Sequence, residues 1–239
     1  MTPPLQKLPM LKDFNQIERK YGKPKSLRMS FPLNSKEFKN LKDSMKDGRD
    51  SDVTLFIFKN RKVVVIAKPW YGEGLYRAPS GGWKPGESLE EVALREGYEE
   101  TGTKIKLQRY ILRIEVTFSH RHKEVIWTSH IFTAKYLSGK LQPIDKREIK
   151  EVKLLTLEEL SSLKPLLLKT GSGGLAYRAA LTEKALEEIK KRRGNLYGRS
   201  REGTSPSPTK STSKYKRAGT GACPYFFNLF TVYRMLSTI

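Results

Sequence analysis

Residues 81–103 read GGWKPGESLEEVALREGYEETGT, and the spacing of the acids in this stretch decides both the fold and the chemistry of the chain. Taken as a helix, Ser88 to Thr101 places Leu89, Val92 and Ala93 on one stripe, and Glu96, Glu99 and Glu100 continue that stripe at i+3 and i+4 spacing. Carboxylates thus stand where an amphipathic helix ordinarily carries apolar side chains. Three inward-facing acids raise one another's pKa and lose their hydration unless hard cations neutralise them. Oxygen-only ligands of this kind suit Mg2+ or Mn2+.

The flanking residues favour the helix. Ser88 is placed to cap its start, with Glu91 three residues on, and Gly102 is placed to end it. Arg95 lies four residues before Glu99 and can hold that acid in register. Ahead of the helix, Pro79-Ser80-Gly81-Gly82 and Lys84-Pro85-Gly86 predict tight turns whose glycines let the backbone approach a metal or phosphate closely. Leu94 and Tyr98 predict a second apolar stripe, with Gly97 admitting a close neighbour. The plain alternative, a solvated glutamate-rich helix, accounts for Arg95 and Glu99 but not for the glycine loop or the inward stripe.

These residues resemble the Nudix box, G-x5-E-x7-R-E-U-x-E-E-x-G-U, where U is a bulky aliphatic residue. Gly81, Glu87, Arg95, Glu96, Glu99, Glu100 and Gly102 fill its chemically demanding positions, while Gly97 and Thr103 stand where the family usually has aliphatic residues. The resemblance implies that Glu96, Glu99 and Glu100, with the Gly81 carbonyl, hold one or more divalent ions on a diphosphate. Arg95 then orients the acids, and Glu87 lies behind them or as an outer ligand. It also implies a Mg2+-dependent hydrolase, with Mn2+ an alternative, that cleaves a diphosphate bond in a nucleoside diphosphate linked to another moiety, of the nucleotide or nucleotide-sugar class. The base that deprotonates the attacking water is one of these glutamates or an acid on a later loop, for which Glu148 is the candidate. Upstream, Trp70, Tyr71 and Tyr76 are candidates to stack on a base, or are core and loop anchors. Arg77 could meet a terminal phosphate, and the loop from His120 to His122 could line the other side.

Around the motif, residues 52–58 (DVTLFIF) and 62–68 (KVVVIAK) predict a hairpin closed by Lys59-Asn60-Arg61. Residues 104–118 and 124–136 predict two further strands, and 145–160 a strand followed by a short helix. Residues 35–46 and 174–193 predict amphipathic helices that pack on the core, whereas 3–28 show no clear period. The expected fold class is α+β, a Nudix-type α/β/α sandwich with a mixed sheet and basic N- and C-terminal extensions. Residues 1–50 are the N-terminal extension, 51–193 the hydrolase domain, and 194–239 a disordered basic linker with an apolar tail.

The 239 residues carry a net charge of +21. It lies mostly on the flanks: residues 1–50 hold 12 basic and 6 acidic side chains, and 190–239 hold 11 and 1. Such flanks can bind RNA or DNA through phosphates, but no stacking motif or recognition fold accompanies them. An RNA 5′-end pyrophosphohydrolase and a non-catalytic Nudix-like nucleotide sensor that binds nucleic acid are therefore the rival readings. Such sensors typically lose box glutamates, which this chain retains. The apolar stretch 222–239 contains Asn228 and Arg234, which weakens a membrane reading. A homodimer is left open. Cys223 is the sole cysteine, so no intrachain disulfide forms and a reducing, cytoplasmic setting is expected. No cysteine lies near the core, as the isomerase branch of the fold would require. His120, His122 and His130 lack partners at ligand spacing and are expected to be surface or strand residues, not a zinc site.

Overall fold

The computed structural model describes residues 8–198 apart from Asp47 and Pro85, and side chains from Phe14 to Lys191. The expectations for Lys84-Pro85-Gly86 at Pro85, and for the linker and apolar tail beyond Gly198, lie outside the described residues. A seven-stranded mixed sheet forms the middle layer, in the order β1 (Lys25–Pro32), β5 (Thr103–His120), β6 (Lys123–Gly139), β2 (Ser51–Lys59), β3 (Lys62–Ala67) and β7 (Glu151–Leu155). The remaining strand, β4 (Ser80–Gly82), pairs with β2 off that path. The contacts of β1 with β5 and of β2 with β6 are parallel, and the others antiparallel.

β2 and β3 form the expected hairpin, with Phe58 opposite Val63 and Asn60 at positive φ in the turn. Every residue of β2 from Ser51 to Ile57 is buried, because helices cover both faces of the sheet. On one face, Val53, Leu55 and Ile57 pack with Leu89, Val92 and Ala93 of α3 (Leu89–Thr101) and with Ile17 of α1 (Leu8–Tyr21). On the other, Phe56, Val63 and Val65 belong to a core shared with Phe38 of α2 (Ser35–Ser44), Leu157 of α4 (Leu157–Ser162), and Leu181 and Leu186 of α6 (Gly173–Gly198). The layers are therefore α/β/α, as expected.

The N-terminal segment is more ordered than its composition suggests. Leu27, Met29 and Phe31 alternate with exposed Ser26, Arg28 and Ser30, so residues 25–32 form the edge strand β1 against β5. α1 is tied to α3 where Lys20 and Tyr21 both donate to the Glu90 carboxylate, at 2.8 and 2.7 Å. Residues 8–46, read from sequence as part of an extension, thus supply α1, β1 and α2 to the same sandwich. α5 (Lys164–Lys169) was not anticipated, and α6 continues beyond residue 193 to Gly198. Among the described residues, no helix is long and apolar enough to cross a membrane.

Candidate active site

α3 begins with reciprocal capping. The Ser88 hydroxyl accepts from the Glu91 N–H, and the Glu91 carboxylate accepts from the Ser88 N–H at 2.7 Å. It ends at Gly102, whose φ of 67° is left-handed. Leu89, Val92 and Ala93 are buried as expected, but Leu94 and Tyr98 are exposed, so the second stripe faces solvent rather than a neighbour. Gly97 packs on the strands: a Cβ there would lie 2.7 Å from Ile105 Cδ1 and 3.4 Å from Leu55 Cδ1. Thr103, also at an aliphatic position, is buried with its hydroxyl 2.6 Å from that of Thr101.

Arg95 gathers the acids. Its Nε donates to Glu87 Oε1 at 2.5 Å and its Nη2 to Glu87 Oε2 at 2.9 Å. Its Nη1 donates to Glu96 Oε1 at 2.5 Å and to Glu99 Oε2 at 3.0 Å, and Nη2 reaches the Gly82 carbonyl at 3.1 Å. This guanidinium holds the Glu87 carboxyl below the usual range. Glu96 moves the opposite way: burial, opposed by Arg95 and reinforced by Glu100 and Glu99, pushes it up to about 7.

Glu100 sits apart from Arg95. It is 2% exposed and accepts from the Ser80 N–H at 2.7 Å and from Arg77 Nη2 at 3.3 Å. Lys68 Nζ lies 3.1 Å from Glu100 Oε1 and 2.8 Å from Glu148 Oε1, so one buried ammonium joins the acid helix to the loop before β7. The stretch Ser80–Gly82, expected as a turn, is instead β4, with Gly81 opposite Val53. Any Cβ at Gly81 would collide with the Glu96 carboxylate, so a glycine is what admits that acid to the strand.

The donor set suits a hard divalent ion. Glu87, Glu96, Glu99, Glu100 and Glu148 are met by Arg95, Arg77 and Lys68, which leaves a net negative charge on oxygen donors alone. The glycine at 81 leaves the room that the Glu96 carboxylate occupies, which any side chain there would take away. Among the described residues, no three His, Cys, Asp or Glu side chains already surround one point; a side-chain cation engages each acid instead.

A cleft of about 460 Å³ opens beside Gly81 and Gly82 and is also lined by Glu148, Arg77 and Trp70. Of the expected substrate contacts, Trp70 is 72% exposed, with the Lys68 ammonium over its ring at 5.9 Å and the Tyr71 ring edge-on at 6.3 Å. Tyr76 is a buried anchor whose hydroxyl donates to Glu151 at 2.7 Å and accepts from Lys153 at 2.8 Å. Arg77 is buried and committed to the Ala78 carbonyl, Ser80 Oγ and Glu100, which turns it toward the acid helix. His130 is a buried strand residue, its Nδ1 2.6 Å from Tyr110 Oη. His120 is fixed at Ser35 and the Leu33 carbonyl beside α2. Sequence reasoning missed Lys68 and the ion pair of buried Asp52 with partly exposed Arg178, 2.9 Å apart in the lining of the cleft. One lysine at a strand end carries no signal among 46 basic residues, and the pair is 126 positions apart.

A family model described as the NUDIX domain matches residues 48–174, which contain the whole acid helix, Lys68 and Glu148. The chain belongs to the Nudix family. Among curated relatives of this Nudix chain, a protein of Chromobacterium violaceum named NAD-capped RNA hydrolase NudC is 29% identical over 109 residues, 46% of this chain and 38% of that protein. The putative mutator protein MutT4 of Mycobacterium tuberculosis is 33% identical over 91 residues, 38% of this chain and 36% of its own length. The chain thus spans well under half of these two proteins. Among solved structures, one described as a UDP-X diphosphatase is 25% identical with a TM-score of 0.38, covering 53% of this chain and 61% of its own.

Proposed function

We propose that this Nudix chain is a Mg2+-dependent pyrophosphohydrolase that cleaves the diphosphate bond of a nucleoside diphosphate linked to another moiety, a nucleotide or nucleotide sugar. The observation that carries the reading is the pressing of the Glu96 carboxylate onto Gly81, which lines an open cleft, with Glu99 on the same arginine and Glu100 one turn on. Glu96, Glu99, Glu100 and the Gly81 backbone would hold the ion, with Mn2+ able to replace Mg2+. Bound there, such an ion would supply neutralisation of the diphosphate charge and a lower pKa for the water that becomes the nucleophile.

The chain's own residues do the rest. Arg95 fixes the angles of Glu87, Glu96 and Glu99 through a planar fork that a lysine cannot copy. Glu148 is 62% exposed on the cleft wall, where it can accept the proton of the attacking water, and Lys68 sets its position. Trp70 offers its face to a base.

A second reading, an RNA 5′-end pyrophosphohydrolase, is favoured by one specific observation: a relative is named as a hydrolase of NAD-capped RNA. The basic flanks would then hold RNA by its phosphates. A cytoplasmic setting accompanies either reading, from the single cysteine. The test is a Mg2+-dependent product screen over nucleoside triphosphates, ADP-ribose, nucleotide sugars, dinucleoside polyphosphates, and RNAs bearing a 5′-triphosphate or an NAD cap. Turnover of free nucleotides supports the first reading, turnover of RNA alone the second, and binding without turnover of any of them overturns both.

A further inference from the structure

The cleft beside Gly81 adjoins a second chamber of about 510 Å³, lined by Lys68, Tyr71 and Leu175 among others. The two share a wall made by Glu37, Asn40, Trp70, Arg77, Gly174 and Arg178. A substrate with one group on each side of a diphosphate would fill both chambers and lay the diphosphate across that wall. Two guanidiniums stand there, and they are differently committed. Arg77 is spent on Ala78, Ser80 and Glu100. Arg178 makes two hydrogen bonds among the described residues, Nη2 to Asp52 Oδ2 at 2.9 Å and Nη1 to Thr54 Oγ1 at 3.2 Å, so most of its five N–H donors are uncommitted.

The mounting of Arg178 is stiff. Asp52 is buried and also accepts from Ser129 Oγ, which is hydrogen-bonded to the buried Tyr177 hydroxyl. Gly173, where α6 begins, abuts the Pro32 carbonyl too closely to carry a side chain. Glu37 of α2 accepts from Ser172 Oγ and from the Gly174 N–H, closing the wall from the other side. With one N–H of each terminal nitrogen held, by Asp52 and by Thr54, the Nε–H and the remaining terminal N–H groups of a fixed guanidinium are available to a bidentate anion.

We propose that Arg178 is the residue that grips the substrate diphosphate, binding its non-bridging oxygens at the junction of the two chambers. It lies on α6, beyond residues 48–174 of the family match, so this contact is supplied by the chain's own C-terminal helix. The assignment rests on the pyrophosphohydrolase reading for its ligand.

The test uses methylene diphosphonate, a non-hydrolysable diphosphate with no base or sugar, titrated calorimetrically with Mg2+ into the full chain. Three proteins are compared: wild type, Arg178→Lys, and the double variant Asp52→Asn with Arg178→Gln, which leaves no unpaired charge in the cleft lining. Charge-assisted hydrogen bonds of ordinary strength predict binding weaker by about tenfold or more in the double variant, and an intermediate loss in Arg178→Lys. Thermal unfolding confirms that each variant is folded. Undiminished diphosphonate binding in folded Arg178→Lys and in the double variant, or no binding by wild type, overturns the assignment. Wild-type turnover in the substrate screen is scored separately. Diphosphonate binding that depends on Arg178 in a protein inactive on every substrate keeps the anion site and defeats the pyrophosphohydrolase reading alone.

Discussion

Glu96 and residue 81 compete for the same space: the carboxylate lies where any side chain at 81 would begin. Gly81→Ala should therefore expel Glu96 from its position against β4. The expected result is Mn2+ binding at least about tenfold weaker by electron paramagnetic resonance, and kcat lower by orders of magnitude. Displacing a buried group costs about 1–3 kcal/mol, so the variant should still fold. Unaltered Mn2+ affinity in Gly81→Ala would show that Glu96 is not a ligand.

Glu99 and Glu100 should respond differently to neutralisation. Crowding of acids alone predicts that either glutamine variant gains stability without metal. The structure limits that to Glu99, which is half exposed on Arg95, because Glu100 is buried against Lys68 and Arg77. Glu100→Gln should lose stability by about 3 kcal/mol, as expected when one partner of a buried ion pair is removed, whereas Glu99→Gln should shift it by under about 1 kcal/mol. Both should reduce kcat sharply. Equal thermal shifts in metal-free buffer would contradict the buried network around Glu100.

The acid helix was legible because its constraints are local: the capping pair, the buried Leu89, Val92 and Ala93 and the spacing of the acids lie close in sequence, but of the three acids expected to face inward Glu96 and Glu100 are buried and Glu99 is exposed. The same holds for the β2–β3 hairpin, whereas the α/β/α layering joins residues far apart in sequence and was expected from the family resemblance. Strand β1 was missed although Leu27, Met29 and Phe31 alternate, because lysines and prolines on either side mask a short period. Leu94 and Tyr98 misled for the converse reason: apolar spacing gives a face, but only packing says whether anything covers it. Lys68, Asp52 and Arg178 acquire their roles from long-range partners, which a single chain does not encode as a pattern.

His130 gives a pH prediction away from the acids. Burial lowers it to about 4, while Asp52 opposes and Arg113 reinforces that shift, and Phe14 of α1 stacks on the ring at 5.3 Å. Between about 6.5 and about 4 the unfolded chain takes up the proton and the folded chain does not, so stability falls as pH falls through that window. The full contribution is about 3 kcal/mol. His130→Phe should flatten this part of the stability profile, measured by urea unfolding at several pH values. A profile parallel to wild type would mean that His130 protonates freely in the fold.

Arg95→Lys should lower kcat much more than it raises KM, because the guanidinium touches Glu87, Glu96, Glu99 and the Gly82 carbonyl and is spent on positioning them. A lysine can serve one or two of those partners at a time. A loss of about tenfold or more in kcat with KM nearly constant is expected from steady-state kinetics. A change confined to KM would move Arg95 onto the substrate.

Lys68 should separate ion binding from turnover. Its ammonium lies between Glu100 and Glu148, and it neutralises the acid that the ion needs while holding the one proposed as base. Lys68→Met preserves length and apolar packing but removes that charge. The cluster becomes more negative, so Mn2+ should bind more tightly, by about tenfold for a charge pair at this range in a partly buried site. Glu148 loses its tether at the same time, so kcat should fall by about 10²-fold, the low end for a general base out of place. Opposite movement of the two quantities is the signature. If Mn2+ affinity and kcat fall together, Lys68 acts only by holding Glu100 in the fold, and the link from the acid helix to Glu148 has no part in the reaction.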